Sequence, residues 1–230
     1  MLSVKNNEFV IPGQLIGTKL KCDENCFYEN GNVYSSVHGI VRIERDRVRV
    51  IPSSGSYIPK EGDMVIGIVS DIHSRSWDID INSAYPCRLR CEELTDDSLN
   101  DDLSKYFSIG DTISAKISKV DEVKNCTVVG PWKLEGGLVI EINPKRIPRV
   151  VGKKRSMLNL IKNKTGSKIL VGQNGRIWIK GGNVTLAITA IKKIEREAQT
   201  KGLTDRVADM LNKETKMNWM RWTRGYENEK

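Results

Sequence analysis

Apolar and polar positions alternate in short runs through roughly the first 140 residues, then switch to a wider spacing. Arg45, Arg47 and Arg49 interleave with Val48, Val50 and Ile51, the period of two of a half-buried strand. Trp77-Asp78-Ile79-Asp80-Ile81 and Cys87-Arg88-Leu89-Arg90-Cys91 alternate in the same way. Met64 to Val69 is a near-continuous apolar strand in which Gly67 permits a bend, and Thr112–Val120 and Cys126–Val129 read as two more. Five short strands with glycine-marked bends predict a small Greek-key OB barrel over residues 56–133. Before it, Val10-Ile11-Pro12-Gly13 is an extended run ending in a turn, and Asn30-Gly31-Asn32 is a hairpin signal. Strands Val33–Val37 and Ile40–Ile43 follow. Pro52-Ser53-Ser54-Gly55-Ser56 reads as a hinge closing a β domain over 1–55.

Past residue 134 the pattern predicts strand, helix, helix, strand, strand, helix. Leu138–Ile142 is a strand, and Asn143 caps a short helix with Pro144 at its first position. Met157, Leu158 and Ile161 mark one face of a second helix that Thr165-Gly166 ends. Ile169–Val171 and Arg176–Lys180 are strands joined through Gln173-Asn174-Gly175, a type I′ hairpin signature. Leu186, Ala187, Ala190, Ile191 and Ile194 recur at helical spacing. This is the KH arrangement, assigned to 134–212 with a tail over 213–230, and the expected class is multidomain β and α+β.

Charge singles out one part of that domain. Lys145 to Lys180 holds eleven Lys or Arg and no Asp or Glu, while the rest of the chain carries 26 basic against 29 acidic residues. The turn Gly152-Lys153-Lys154-Arg155 lies inside it, at the start of a helix whose free N–H groups and partial positive charge suit a phosphodiester chain. A solvated loop is the plainer reading, but solvated faces usually mix signs. Lys168 and Arg176 flank the turn. On the barrel, Arg75, Trp77, Arg88 and Arg90 fall on the second and third strands, where this fold usually binds, with Trp77 as a stacking face or a rim aromatic. Lys116 and Lys119 are weaker candidates, and Trp178 is expected in the core. Single-stranded RNA is the expected partner.

Other chemistry is less well supported. The five cysteines are read as reduced thiols. The C-x3-C pairs Cys22/Cys26 and Cys87/Cys91 raise zinc. Cys87 to Cys91, however, lies in what reads as a strand, and four residues of strand span about 13 Å, too far for one ion with Zn–S bonds near 2.3 Å. Asp78, Asp80 and His73 raise a metal-dependent ribonuclease, yet both carboxylates also fit plain polar-out strand patterning. The acidic run Glu92, Glu93, Asp96, Asp97, Asp101 and Asp102 is read as a solvated loop. No metal or cofactor is expected. No run is long and apolar enough for a membrane span and no leader is evident, so a cytoplasmic location is expected.

Several stretches together carry a resemblance. They are Val10-Ile11-Pro12-Gly13, Gly31-Asn32-Val33-Tyr34-Ser35, Val50-Ile51-Pro52 and Tyr57-Ile58-Pro59-Lys60-Glu61-Gly62-Asp63 with Met64-Val65-Ile66-Gly67. Gly136-Gly137, Pro148-Arg149-Val150-Val151-Gly152, Asn174-Gly175-Arg176-Ile177-Trp178 and Gly202-Leu203-Thr204-Asp205-Arg206 complete the set. In this order the chain resembles the RNA-binding cap subunits of the archaeal exosome. The resemblance implies a non-catalytic subunit, three copies of which cap a ring of RNase-PH-like subunits that degrades RNA from the 3′ end. It also implies docking on the ring through Val10, Ile11, Pro12 and Gly13, with the barrel lining the pore entrance. Arg155 departs from the general Gly-x-x-Gly turn. The tail residues Met217, Trp219, Met220, Arg221, Trp222 and Arg224 lie outside the resemblance and are read as stacking on bases, docking on a neighbour or folding back on the KH domain. A free-standing RNA-binding protein remains the alternative, with the ribonuclease behind it.

Overall fold

The computed structural model describes residues 2–94, 105–200 and 202–213. The chain divides into two compact units, Met1–Gly55 and Ser56–Lys230.

The first unit is all β: β1 (Phe9–Val10), β2 (Leu15–Thr18), β3 (Lys21–Cys22), β4 (Cys26–Glu29), β5 (Asn32–Ser35), β6 (Gly39–Glu44) and β7 (Arg47–Pro52). They form two small sheets, in orders β1-β6-β7-β3 and β2-β5-β4. Val10, Ile16, Val33, Val41, Val48 and Val50 are their shared core. The alternation along β7 does what a half-buried strand requires: Val48 and Val50 point in, while Arg47 and Arg49 point out. Cys22 and Cys26 are joined by a disulfide with their Cα atoms 5.8 Å apart. The expectation of reduced thiols fails at this pair, because the chain reverses between β3 and β4 and brings the two residues side by side. Cys87, Cys91 and Cys126 are buried and stay outside any disulfide among the described residues.

The second unit begins with β8 (Met64–Ile72), β9 (Ser76–Asp80), β10 (Cys87–Arg90), β11 (Thr112–Val120) and β12 (Cys126–Lys133). They close into a barrel in the cyclic order β10-β12-β11-β8-β9, with β10 and β12 parallel and the other neighbours antiparallel. This is the predicted Greek-key OB barrel. Val65, Val69, Trp77, Ile79, Leu89, Ile113, Ile117 and Val128 fill it, and each large aliphatic buried there contributes about 1.5–3 kcal/mol.

The KH domain follows: β13 (Leu138–Glu141), α1 (Ile147–Val151), α2 (Ser156–Thr165), β14 (Lys168–Val171), β15 (Arg176–Lys180) and α3 (Val184–Glu197). The sheet order is β13-β15-β14, all antiparallel. Asn143 Oδ1 accepts the Lys145 N–H at 3.0 Å and caps the predicted short helix, which begins as a single 3-10 turn over Pro144–Arg146. Asn183 caps α3 by accepting the Leu186 N–H at 2.9 Å. A further helix, α4, covers 203–213 among the described residues. It was not predicted, yet Leu203, Val207 and Leu211 are buried in the KH core beside Ile191 and Ile194.

The predicted β-hairpin turn Gln173-Asn174-Gly175 does not end in solvent. It plugs the stretch of β8 that precedes that strand's pairing with β9. The Gln173 N–H donates to the Met64 carbonyl at 2.8 Å, and the Met64 N–H returns a bond to Gln173 Oε1. Asn174, fully buried, accepts the Ile66 N–H at 3.2 Å and donates to the carbonyls of Ile66 and Ile81 at 2.8 and 2.9 Å. A side chain at Gly172 would strike Asn174 Oδ1 and the Ile66 amide, so only glycine admits this approach.

Candidate nucleic-acid interface

The basic turn joins α1 to α2. Gly152 has φ +73°, and an added Cβ would press on Met157, which the core holds. The turn closes through the Gly152 N–H to the Pro148 carbonyl (2.9 Å) and the Arg155 N–H to the Gly152 carbonyl (3.2 Å). Lys154 and Arg155 both adopt left-handed backbone, φ 51° and 63°. Arg155 thus keeps the conformation that glycine would adopt at the second position of the general turn, at a cost of about 1–2 kcal/mol. Lys153, Lys154 and Arg155 are exposed. Among the described residues none of them has a carboxylate within 4 Å. The turn therefore presents three uncompensated cations at the start of a ten-residue helix.

On the barrel, Arg88 and Arg90 project from the same face of β10 and are exposed, and Arg90 pairs with Ser76, next to exposed Arg75. Arg88 is held by Asp78 at 2.9 Å, and His73 takes the other oxygen of that carboxylate at 2.8 Å. Burial alone would raise the Asp78 carboxyl, but the hydrogen bonds from His73 and Arg88 outweigh it and hold the group below the usual range. Asp78 and Asp80 thus each carry a cation partner.

Trp77 cannot serve as a stacking face. It is fully buried, its indole N–H donates to the Phe107 carbonyl at 3.2 Å, and it meets Tyr106 and Phe107 edge-on. Arg176 is likewise unavailable to RNA. It is 4% exposed and bonded to Asp80 (2.6 Å) and Glu141 (2.9 Å), tying the KH sheet to the barrel. Trp178, expected in the core, lies on the opposite face of its sheet from Ile177 and Ile179 and is half-buried. Val10 belongs to the first unit's core and offers no docking surface, whereas Ile11, Pro12 and Gly13 are exposed. Lys168 is exposed on β14. The tail residues from Met217 onward and Asp96, Asp97, Asp101 and Asp102 lie outside the described residues.

Burial alone would raise the Asp80 carboxyl, but the Arg176 and Asn82 hydrogen bonds and the Arg176 charge pull it below the usual range. A depressed carboxyl gives stability that is complete above its unfolded value near 3.9 and is lost as pH falls through the folded value. Thermal melts at descending pH should therefore show an acid loss below about pH 4 that Asp80→Asn makes shallower, starting from a lower neutral melting temperature. Parallel acid limbs in the two proteins would refute the Arg176–Asp80 tie.

A closed Greek-key barrel hydrogen-bonded to a KH domain, with a bare cationic turn, defines a nucleic-acid-binding protein of the OB–KH class. Residues 137–185 match a KH domain family model. The chain is 44% identical to exosome complex component Rrp4 of Pyrococcus abyssi, over 90% of this chain and 83% of the relative. It is equally identical to that of Methanothermus fervidus, over 92% and 98%. A crystal structure assigned to an exosome complex RNA-binding protein superposes with a TM-score of 0.65 at 33% identity, covering 71% of this chain and 99% of the other. The chain belongs to the Rrp4 family of exosome components. Among the described residues no helix is long and apolar enough to cross a membrane.

Proposed function

We propose that this chain captures single-stranded RNA for an exosome, in the cytoplasm, and leaves its cleavage to other subunits. Three copies cap a ring of RNase-PH-like subunits, each docking through the exposed Ile11-Pro12-Gly13 segment. RNA is gripped by the turn Gly152-Lys153-Lys154-Arg155 and by Arg75, Arg88 and Arg90 on the barrel, and is led toward the ring, which degrades it from the 3′ end. The observation that carries this reading is the uncompensated cation cluster on a KH turn, in a chain of the exosome Rrp4 family. A phosphate chain supplies the missing negative charge, and binding releases its counterions.

The purified chain, incubated with labelled single-stranded RNA, phosphate and divalent metal, should bind the RNA and leave its length unchanged. Mixed with ring subunits, it should co-elute with them as one larger species by size-exclusion chromatography with light scattering. Turnover by the chain alone that is lost on Asp80→Ala, or failure ever to join a ring, would overturn the reading.

A further inference from the structure

The outer face of the KH sheet carries a second group of residues away from the turn. Where that face meets the barrel, a groove of about 490 Å³ opens between β12 and β15. Trp132, on β12, is 73% exposed, an unusual state for the largest apolar side chain. Trp178 forms the opposite wall, its indole fixed by an N–H bond to the Gly136 carbonyl at 2.7 Å. Beside Trp178, Lys168 and Lys180 stand directly opposite each other on neighbouring strands, pointing to the same side. Like charges in that register repel, and their Cβ atoms lie only about 5 Å apart. Among the described residues neither lysine has a carboxylate within 4 Å, and Lys180 rests on the backbone carbonyl of Glu135. Among the described residues of the lining Glu135 is the single acid, and Lys133 is already matched by Asp111 at 2.6 Å.

We infer that this groove is a second single-strand contact, taking a nucleobase on Trp132 and its phosphate between Lys168 and Lys180. The inference rests on the RNA-capture reading and adds a binding place on the sheet face, separate from the α1–α2 turn. An aromatic face beside unneutralised cations is the pairing that single-stranded nucleic acid uses, and it tolerates any base because every base has a π-face. The lysine pair explains why one anion fits: a phosphate bridging two amines relieves the repulsion between them.

Fluorescence anisotropy of a labelled single-stranded RNA against salt tests this on the whole chain. Trp132→Ala should weaken binding roughly tenfold and Trp132→Phe much less, because a phenyl ring still stacks. Lys168→Ala with Lys180→Ala removes one phosphate contact and should flatten the dependence of log K on log salt by about 0.7. Ultraviolet cross-linking should place RNA on the peptide containing Trp132. Tight binding by the wild type that Trp132→Ala leaves unchanged would overturn the groove and leave the capture reading standing. If the wild type bound no RNA, both would fall. If Trp132→Ala kept full RNA affinity but failed to assemble with ring subunits, the groove would be a protein-docking face and the inference would be wrong.

Discussion

Lys153→Ala combined with Lys154→Ala should weaken binding of single-stranded RNA by about twentyfold at 0.1 M salt, with little regard to sequence. Both side chains are exposed and, among the described residues, lack a carboxylate partner, so removing them leaves no orphaned charge there and no cavity. The loss is therefore a loss of phosphate contacts and not of fold, and the melting temperature should hold. Each contact to a single strand contributes about 0.7 to the slope of log K against log salt, so the slope should fall by about 1.4. The deficit should then shrink by about sevenfold between 50 and 200 mM salt. Arg155, the third cation, stays in place in this variant and keeps the left-handed turn intact. A variant that binds as tightly as the wild type, or loses affinity with an unchanged slope, would mean the turn is not the grip.

The contrast between the turn and its expected flankers shows what local pattern can and cannot convey. The alternation that located β9 already places Trp77 on the same side as Ile79 and Ile81, so its burial was legible there; the expected binding face of the fold was the weaker guide. Arg176 is the reverse case. Alternation puts it on the outer face of β15, opposite buried Ile177, and that placement is right. What covers that outer face is the barrel, contributing Asp80 from nearly a hundred residues earlier. Nothing in the spacing around Arg176 reports this. The expectation of Trp178 in the core runs against its own alternation with Ile177 and Ile179, which places it on the outer face of β15. The cysteine pair at 22 and 26 failed for a similar reason, because a four-residue spacing bridges only when the chain folds back between two strands. The strands of the barrel and the strands and first helices of the KH domain are legible, since periods of two and near four follow from backbone geometry, whereas the short strands β2, β3 and β4 of the first unit offer too few residues to show a period. Helix α4 was missed because Leu203, Val207 and Leu211 stand at one-turn spacing in a stretch too short to declare itself without the core it covers.

Asn174→Ala should cost about 3 kcal/mol, the low end for three buried hydrogen-bonding groups left without partners. In wild type its amide meets the Ile66 N–H and the carbonyls of Ile66 and Ile81, where water does not enter. In a unit of this size the melting temperature should fall by roughly 10 °C. The location of the damage matters as much as its size. Asn174 belongs to the KH domain and its partners to the barrel, so the loss falls on the joint between them. The wild-type second unit should unfold in one transition, and in the variant that transition should broaden or split, with the denaturant m-value falling as the barrel and KH domain come apart separately. Gln173→Ala is the matched control. Gln173 is exposed, and its backbone N–H bond to Met64 survives the substitution, so the expected cost is under about 1 kcal/mol. On the proposed reading the joint also bears on RNA capture, because it ties the domain that carries the cationic turn to the barrel that carries Arg88 and Arg90. A strand spanning both sites would gain from that tie, since the second contact forms at high effective concentration. Asn174→Ala should therefore weaken binding of RNA long enough to reach both sites more than binding of a short oligonucleotide. Equal losses for the two lengths, with the melt unchanged, would show that the joint neither stabilises the unit nor aligns its two cationic surfaces.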